Sequence, residues 1–183
     1  MKTRNAIRVA TLLTALVCLN IVRAADGRAS AQASGTSAGT LTINPEAAFG
    51  QGGDELATIK LAYARAQATR DPFDKTKSEI RVVLSDLPIS DATMTQANGV
   101  AILVQSGKLQ AIEFFLSADG KPAWGTMLYK KLSISLNEQS FKFERKTLND
   151  KVVAGKISMD ARNIVSGKPK YGCAATFSAP VLH

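Results

Sequence analysis

IEFFLSADGKPAWGTML, residues 112–128, sets two short apolar runs on either side of Asp119-Gly120. Successive side chains of a strand face opposite sides of a sheet. Ile112, Phe114 and Leu116 therefore share one face, and Trp124, Thr126 and Leu128 share one face of the strand that follows. Asp-Gly tolerates the positive φ that a two-residue hairpin turn demands. The stretch predicts an antiparallel hairpin.

The same period of two recurs in both directions from this hairpin. Leu41 and Ile43 alternate with Thr40, Thr42 and Asn44, and Ile59, Leu61 and Tyr63 alternate with Lys60, Ala62 and Ala64. In DPFDKTKSEIRVVLSD, residues 71–86, Ile80, Val82 and Leu84 oppose Glu79, Arg81, Val83 and Ser85. The charged first half reads as a polar corner, because Asp71-Pro72 favours a turn; Phe73 is placed to tuck against the core. Residues 90–97 predict a short helix, with Ser90 as its cap and Asp91 at its positive end. Val100, Ile102 and Val104 read as a further strand. Beyond the hairpin come Phe141 and Phe143, then Val153, Gly155, Ile157 and Met159, and last Tyr171, Cys173, Ala175 and Phe177. About nine strands joined largely by hairpins predict an all-β fold. An antiparallel meander of that length closes into a barrel or folds into a barrel-like sandwich, since long free edges invite aggregation.

The chain begins with an address. Residues 1–24 carry Lys2, Arg4 and Arg8, an apolar run from Val9 to Val22, and Val22-Arg23-Ala24, with small residues where a signal peptidase reads. The run is shorter than the roughly 20 residues a membrane span needs. The expectation is a signal peptide over 1–24, cleaved near Ala24, a flexible leader over 25–38 and a single β domain over 39–183. The protein is then periplasmic or secreted, with no integral membrane span after processing. Loss of Lys2, Arg4, Arg8 and Arg23, with no acid among residues 1–24, lowers the formal charge from +8 to +4. The remaining basic residues are interleaved with acids, which speaks against nucleic acid as a partner.

Several chemistries lack their residues. The sole histidine, His183, is the last residue, so a Ser-His-Asp or Cys-His arrangement would depend on it. After cleavage Cys173 is the only cysteine, which excludes an internal disulfide and a thiolate metal cage; no metal and no cofactor are expected. Cys173 alternates with apolar neighbours and reads as a buried thiol. Calcium on Asp71, Asp74 and Asp86 is weaker than a solvated turn, because the run lacks an EF-hand spacing. Glu113, between Ile112 and Phe114, and the carboxylates of the 71–86 corner invite a catalytic reading, against the plainer one, for Glu113, of a charge on the solvent face. Trp124, Tyr129, Phe115 and Met127 are the candidate ligand-binding residues, lining a pocket for an apolar molecule as barrel interiors do. Their plainer reading is the core of a small β domain.

YARAQATRDPFDKTKSEIRVVLSDLP (residues 63–88), GKL (107–109), ADGKP (118–122) and YGCAATFSAPV (171–181) together resemble a set of uncharacterised exported bacterial proteins. These share a YARA-type strand, an FDKTK corner followed by a VxLSD strand, and a final TFSAPV-like strand. The resemblance implies a bacterial origin and a shared β fold, with no activity to carry over. The functional expectation is a noncatalytic exported domain that binds a protein, an envelope component or a small ligand. The alternatives are an envelope hydrolase using carboxylates and a barrel that carries an apolar small molecule.

Overall fold

The structure, a computed structural model, describes residues 35–44, 57–130, 132–163 and 169–183. The expected signal peptide and residues 25–34 of the expected leader lie outside them. Nine strands are present among the described residues: β1 (Gly35–Ile43), β2 (Ala57–Arg70), β3 (Ser78–Ser85), β4 (Ala111–Ser117), β5 (Pro122–Tyr129), β6 (Leu132–Asn137), β7 (Lys142–Leu148), β8 (Val152–Asn163) and β9 (Pro169–Leu182). Two short helices, α1 (Asp91–Thr95) and α2 (Gly99–Gln105), join β3 to β4. No helix among the described residues is long and apolar enough to cross a membrane.

The strands form one sheet in the order β6-β5-β4-β3-β2-β1-β9-β8-β7, with every neighbouring pair antiparallel. Past the end of β1, β2 and β9 meet directly in a short parallel contact, Ala66 to Val181 and Gln67 to Leu182. The sheet curls strongly. The Phe114 ring on β4 lies 5.7 Å from that of Phe177 on β9, although β3, β2 and β1 separate them in the sheet. The result is a half-barrel, with no ladder joining the edge strands β6 and β7 among the described residues.

The curl fills its own interior. Leu41, Leu61, Val82, Leu84, Phe114 and Ile157 are fully buried on the inner face, and Phe114 makes edge-on contacts with Phe141 and Phe177. Edge-on aromatic pairs contribute about 0.5–1.5 kcal/mol beyond their buried area. A second, smaller cluster lies on the outer face. There Val83, Ala111 and Leu128 pack under Met94, Val100 and Val104 of the helical segment.

Several local expectations need correction. β1 starts at Gly35, ahead of the expected start of order at Gly39. It passes so close to β9 that a Cβ on Gly39 would collide with the Ala174 carbonyl. Val100, Ile102 and Val104 belong to helix α2, not to a strand. Val100 and Val104 are buried four residues apart on one helical side, whereas Ile102 is 52 % exposed. An unbroken apolar run fits either state, and the left-handed Asn98 at its head (φ 58°) starts the helix. The missing strand is β6, where Leu132, Ile134 and Leu136 alternate with Ser133 and Ser135. The hairpin of residues 112–128 forms with Gly120 at φ 83°, but its loop holds three residues, since Ser117 N donates to Lys121 O at 3.0 Å. The expected short helix is α1, and Ser90 caps it by accepting from Thr93 N at 3.2 Å.

Candidate functional site

The helical segment covers only part of the outer face. Where it ends, the outward residues of β2 to β6 turn polar, and an open groove of about 600 Å³ runs between that segment and the β2–β3 corner. Strand register places its floor. Arg81 on β3 stands opposite Phe115 on β4, Glu113 stands opposite Thr126 on β5, and Phe115 stands opposite Trp124.

Arg81 is the centre of this floor. Its Nε donates to Glu113 Oε1, and its Nη1 donates to the Met94 carbonyl at 2.8 Å. Both charged side chains are 14 % exposed, so the pair is largely withdrawn from water. In such surroundings an ion pair persists because the charges also satisfy one another's hydrogen bonds. A second arginine works in parallel. Arg65 on β2, 4 % exposed, donates to Ile89 O at 3.0 Å and pairs with Asp91 Oδ1 at 2.8 Å. The two guanidinium groups tie the loop before α1, and the end of α1, to the sheet.

Beside the ion pair, the Phe115 and Trp124 rings stack with centroids 3.7 Å apart and planes 11° from parallel. Glu79 lies behind them, 5 % exposed. Neither its Oε2 nor Trp124 Nε1 has a hydrogen-bond partner of normal geometry. Burial pushes the Glu79 carboxyl above its ordinary range, the nearby Asp71 charge adds to this, and the indole N–H of Trp124 partly offsets it.

The four aromatic and sulfur-bearing candidates do not converge. Phe115 and Trp124 share the groove, while Met127 is fully buried in the inner core and Tyr129 alternates onto the same inner side. Glu113 is not a freely solvated surface charge, because Arg81 holds it. Phe73 does not reach the core and is 94 % exposed at the tip of the β2–β3 corner. That corner is a polar turn closed on itself. Asp71 Oδ1 accepts from Phe73 N at 2.7 Å and Asp74 N at 3.1 Å, and Asp74 Oδ1 accepts from Thr76 N and Oγ1. Asp86 binds Gln110 N at 2.8 Å at the opposite end of β3, so the three aspartates do not gather.

Sequence reading missed Arg81, Glu79 and the α1–α2 residues that wall the groove. The available signal was the charged alternation Glu79–Arg81 on the strand whose other face is apolar. Cys173 is buried, and burial alone pushes its thiol up to about 12, which removes it as a nucleophile. His183 Nε2 lies 2.6 Å from the Asp150 carbonyl, beside a second cavity of about 540 Å³ at the mouth of the half-barrel. No protein-family model, curated protein or solved structure matches the chain.

Proposed function

We propose that the protein is an exported, noncatalytic binding domain that takes its ligand in the outer-face groove. The observation that carries this reading is the Arg81–Glu113 pair, held 14 % exposed at the floor of an open groove beside a stacked Phe115 and Trp124. A few fixed polar groups beside an aromatic surface are what a binding pocket needs to orient a ligand. Export is supported by the basic start, the short apolar run and Ala24 of the sequence. An apolar cargo inside the curl is disfavoured, because aromatic and aliphatic side chains already fill that space.

A carboxylate hydrolase is the weaker reading. Acid–base hydrolysis needs one carboxyl of raised pKa within reach of substrate. Glu79 has the raised pKa but is 5 % exposed and lines the other cavity instead of the groove, and Glu113, which faces the groove, is engaged by Arg81. NMR titration with a library of small polar fragments tests the binding reading. Shifts that cluster at Gln67, Arg81, Glu113 and Thr126 are expected, and shifts scattered over the surface would defeat it. Turnover in a hydrolase panel that disappears in a folded Glu113→Gln variant would restore the enzyme. Export is checked by N-terminal sequencing of the periplasmic or secreted protein, which should begin at Ala25.

A further inference from the structure

We infer that the groove is built for a saccharide, an inference that rests on the groove being the binding site. The first argument is the unused capacity of the floor. Among the described residues, Arg81 spends Nε on Glu113 and Nη1 on Met94 O, leaving Nη2 as a donor. Glu113 spends Oε1 and leaves Oε2 as an acceptor. A fixed donor and a fixed acceptor side by side match adjacent hydroxyl groups, each of which both donates and accepts.

Much of the wall carries the same chemistry, with Arg70 and Lys75 as cations at the corner end. Gln67, Thr95, Gln96, Asn98, Thr126 and Ser133 are all neutral amides or hydroxyls. Thr95 gives its proton to Asp91 O at 3.1 Å and is left as an acceptor, whereas each of the others can donate to one ligand hydroxyl and accept from another. The third element is Trp124, half-buried on Phe115 with its indole N–H turned away into the protein. What it offers the groove is apolar ring surface, which suits the C–H face of a pyranose ring. The competing classes fit less well. A lipid chain would strip water from the ion pair with no compensating bond. An anion would find Arg70 and Lys75 at the corner end of the groove but would meet the Glu113 carboxylate beside Arg81 on its floor. The groove is open, with α1–α2 residues along one wall and the β2–β3 corner at its end, a shape that admits an extended chain of sugars.

Trp124 is the only tryptophan, so its fluorescence reports on the groove directly. The mature protein is titrated with cellohexaose, maltohexaose and chitohexaose, and separately with inorganic phosphate. At least one oligosaccharide should shift the Trp124 emission and saturate. Glu113→Gln and Thr126→Val should each weaken that binding, the former by about tenfold or more, as loss of a charged hydrogen bond implies. Thr126→Val leaves the ion pair in place and keeps the test valid should Glu113→Gln unfold, which circular dichroism reports. Silence with all three sugars while polar fragments still shift groove resonances overturns the saccharide and leaves the groove standing. Silence with both defeats the saccharide and the binding site together. Saturable binding of phosphate alone also overturns the saccharide.

Discussion

The two faces of the sheet bury their residues by different means. On the inner face the sheet curls until β4 meets β9, so apolar side chains seal one another and the large fully buried residues, Phe114, Leu61 and Ile112 among them, are apolar. On the outer face a few helical turns do the covering, and the strand residues they cover are Val83, Ala111 and Leu128, with Leu182 packed at the edge. At the margin of that cover, charged side chains become largely buried without becoming core. Arg65, Arg81 and Glu113 all sit there. A face closed by its own curvature can be uniform, whereas a face closed by a short cap has a boundary, and the groove occupies that boundary.

Substitutions sharpen the contrast, and the inner face should give the largest effect. Phe114→Ala, which empties a site in contact with Phe141 and Phe177, should cost about 3–5 kcal/mol by chemical denaturation. A midpoint close to wild type would show the half-barrel interior to be loosely packed. Next in size is Arg81→Ala, which strands Glu113 and the Met94 carbonyl and should cost about 1.5–3 kcal/mol. Hydrogen exchange should accelerate in α1, where the Met94 anchor is lost; unchanged exchange there would separate the cap from the ion pair.

Glu79 should act in the opposite direction. Its carboxyl is raised above the ordinary value of 4.5, so the folded state holds a proton that the unfolded state releases as pH climbs through the window above 4.5. The Glu79 contribution to stability is therefore greatest below that window and falls as pH rises through it. Glu79→Gln should remove this decline and stabilise the protein at neutral pH by up to about 1 kcal/mol, since a carboxylate whose charge burial and Asp71 both disfavour is replaced by a neutral amide. Parallel pH profiles for the variant and wild type would show that Glu79 is solvated. The smallest effect belongs to Phe73→Ser. At 94 % exposure the ring loses no packing, and the midpoint should move by no more than about half a kcal/mol.

Much of the fold was legible because alternation is a local property. Phe114 and Ile157 are buried as their positions in the pattern indicate, Ser90 caps α1, and the Asp119-Gly120 hairpin forms. The tally of nine strands is less informative than its parts. The apolar run at 100–104 suits a strand by its pattern and is a helix, and in β6 two serines dilute the alternation of Leu132, Ile134 and Leu136. Of the groove, Phe115, Trp124 and Glu113 were legible as residues to watch. Arg81 and Glu79 were not, because a charge alternating with apolar neighbours reads the same whether its face meets water or a cap.

By itself, the order of residues determined which side chains of each strand share a face, where the chain turns, and that no histidine pair or cysteine cage is available for catalysis or metal binding. These follow from period and composition, which need no knowledge of distant neighbours. Only the tertiary structure decided that Arg81 meets Glu113 and that Phe115 meets Trp124, because residues 81 and 113 become neighbours through the pairing of β3 with β4. It also decided that Met127 turns inward, away from Trp124. A single residue of register shift would exchange the two faces. The groove exists because cross-strand pairing, curl and a short helical cap coincide on one half of one face, and none of the three is a property of any segment alone.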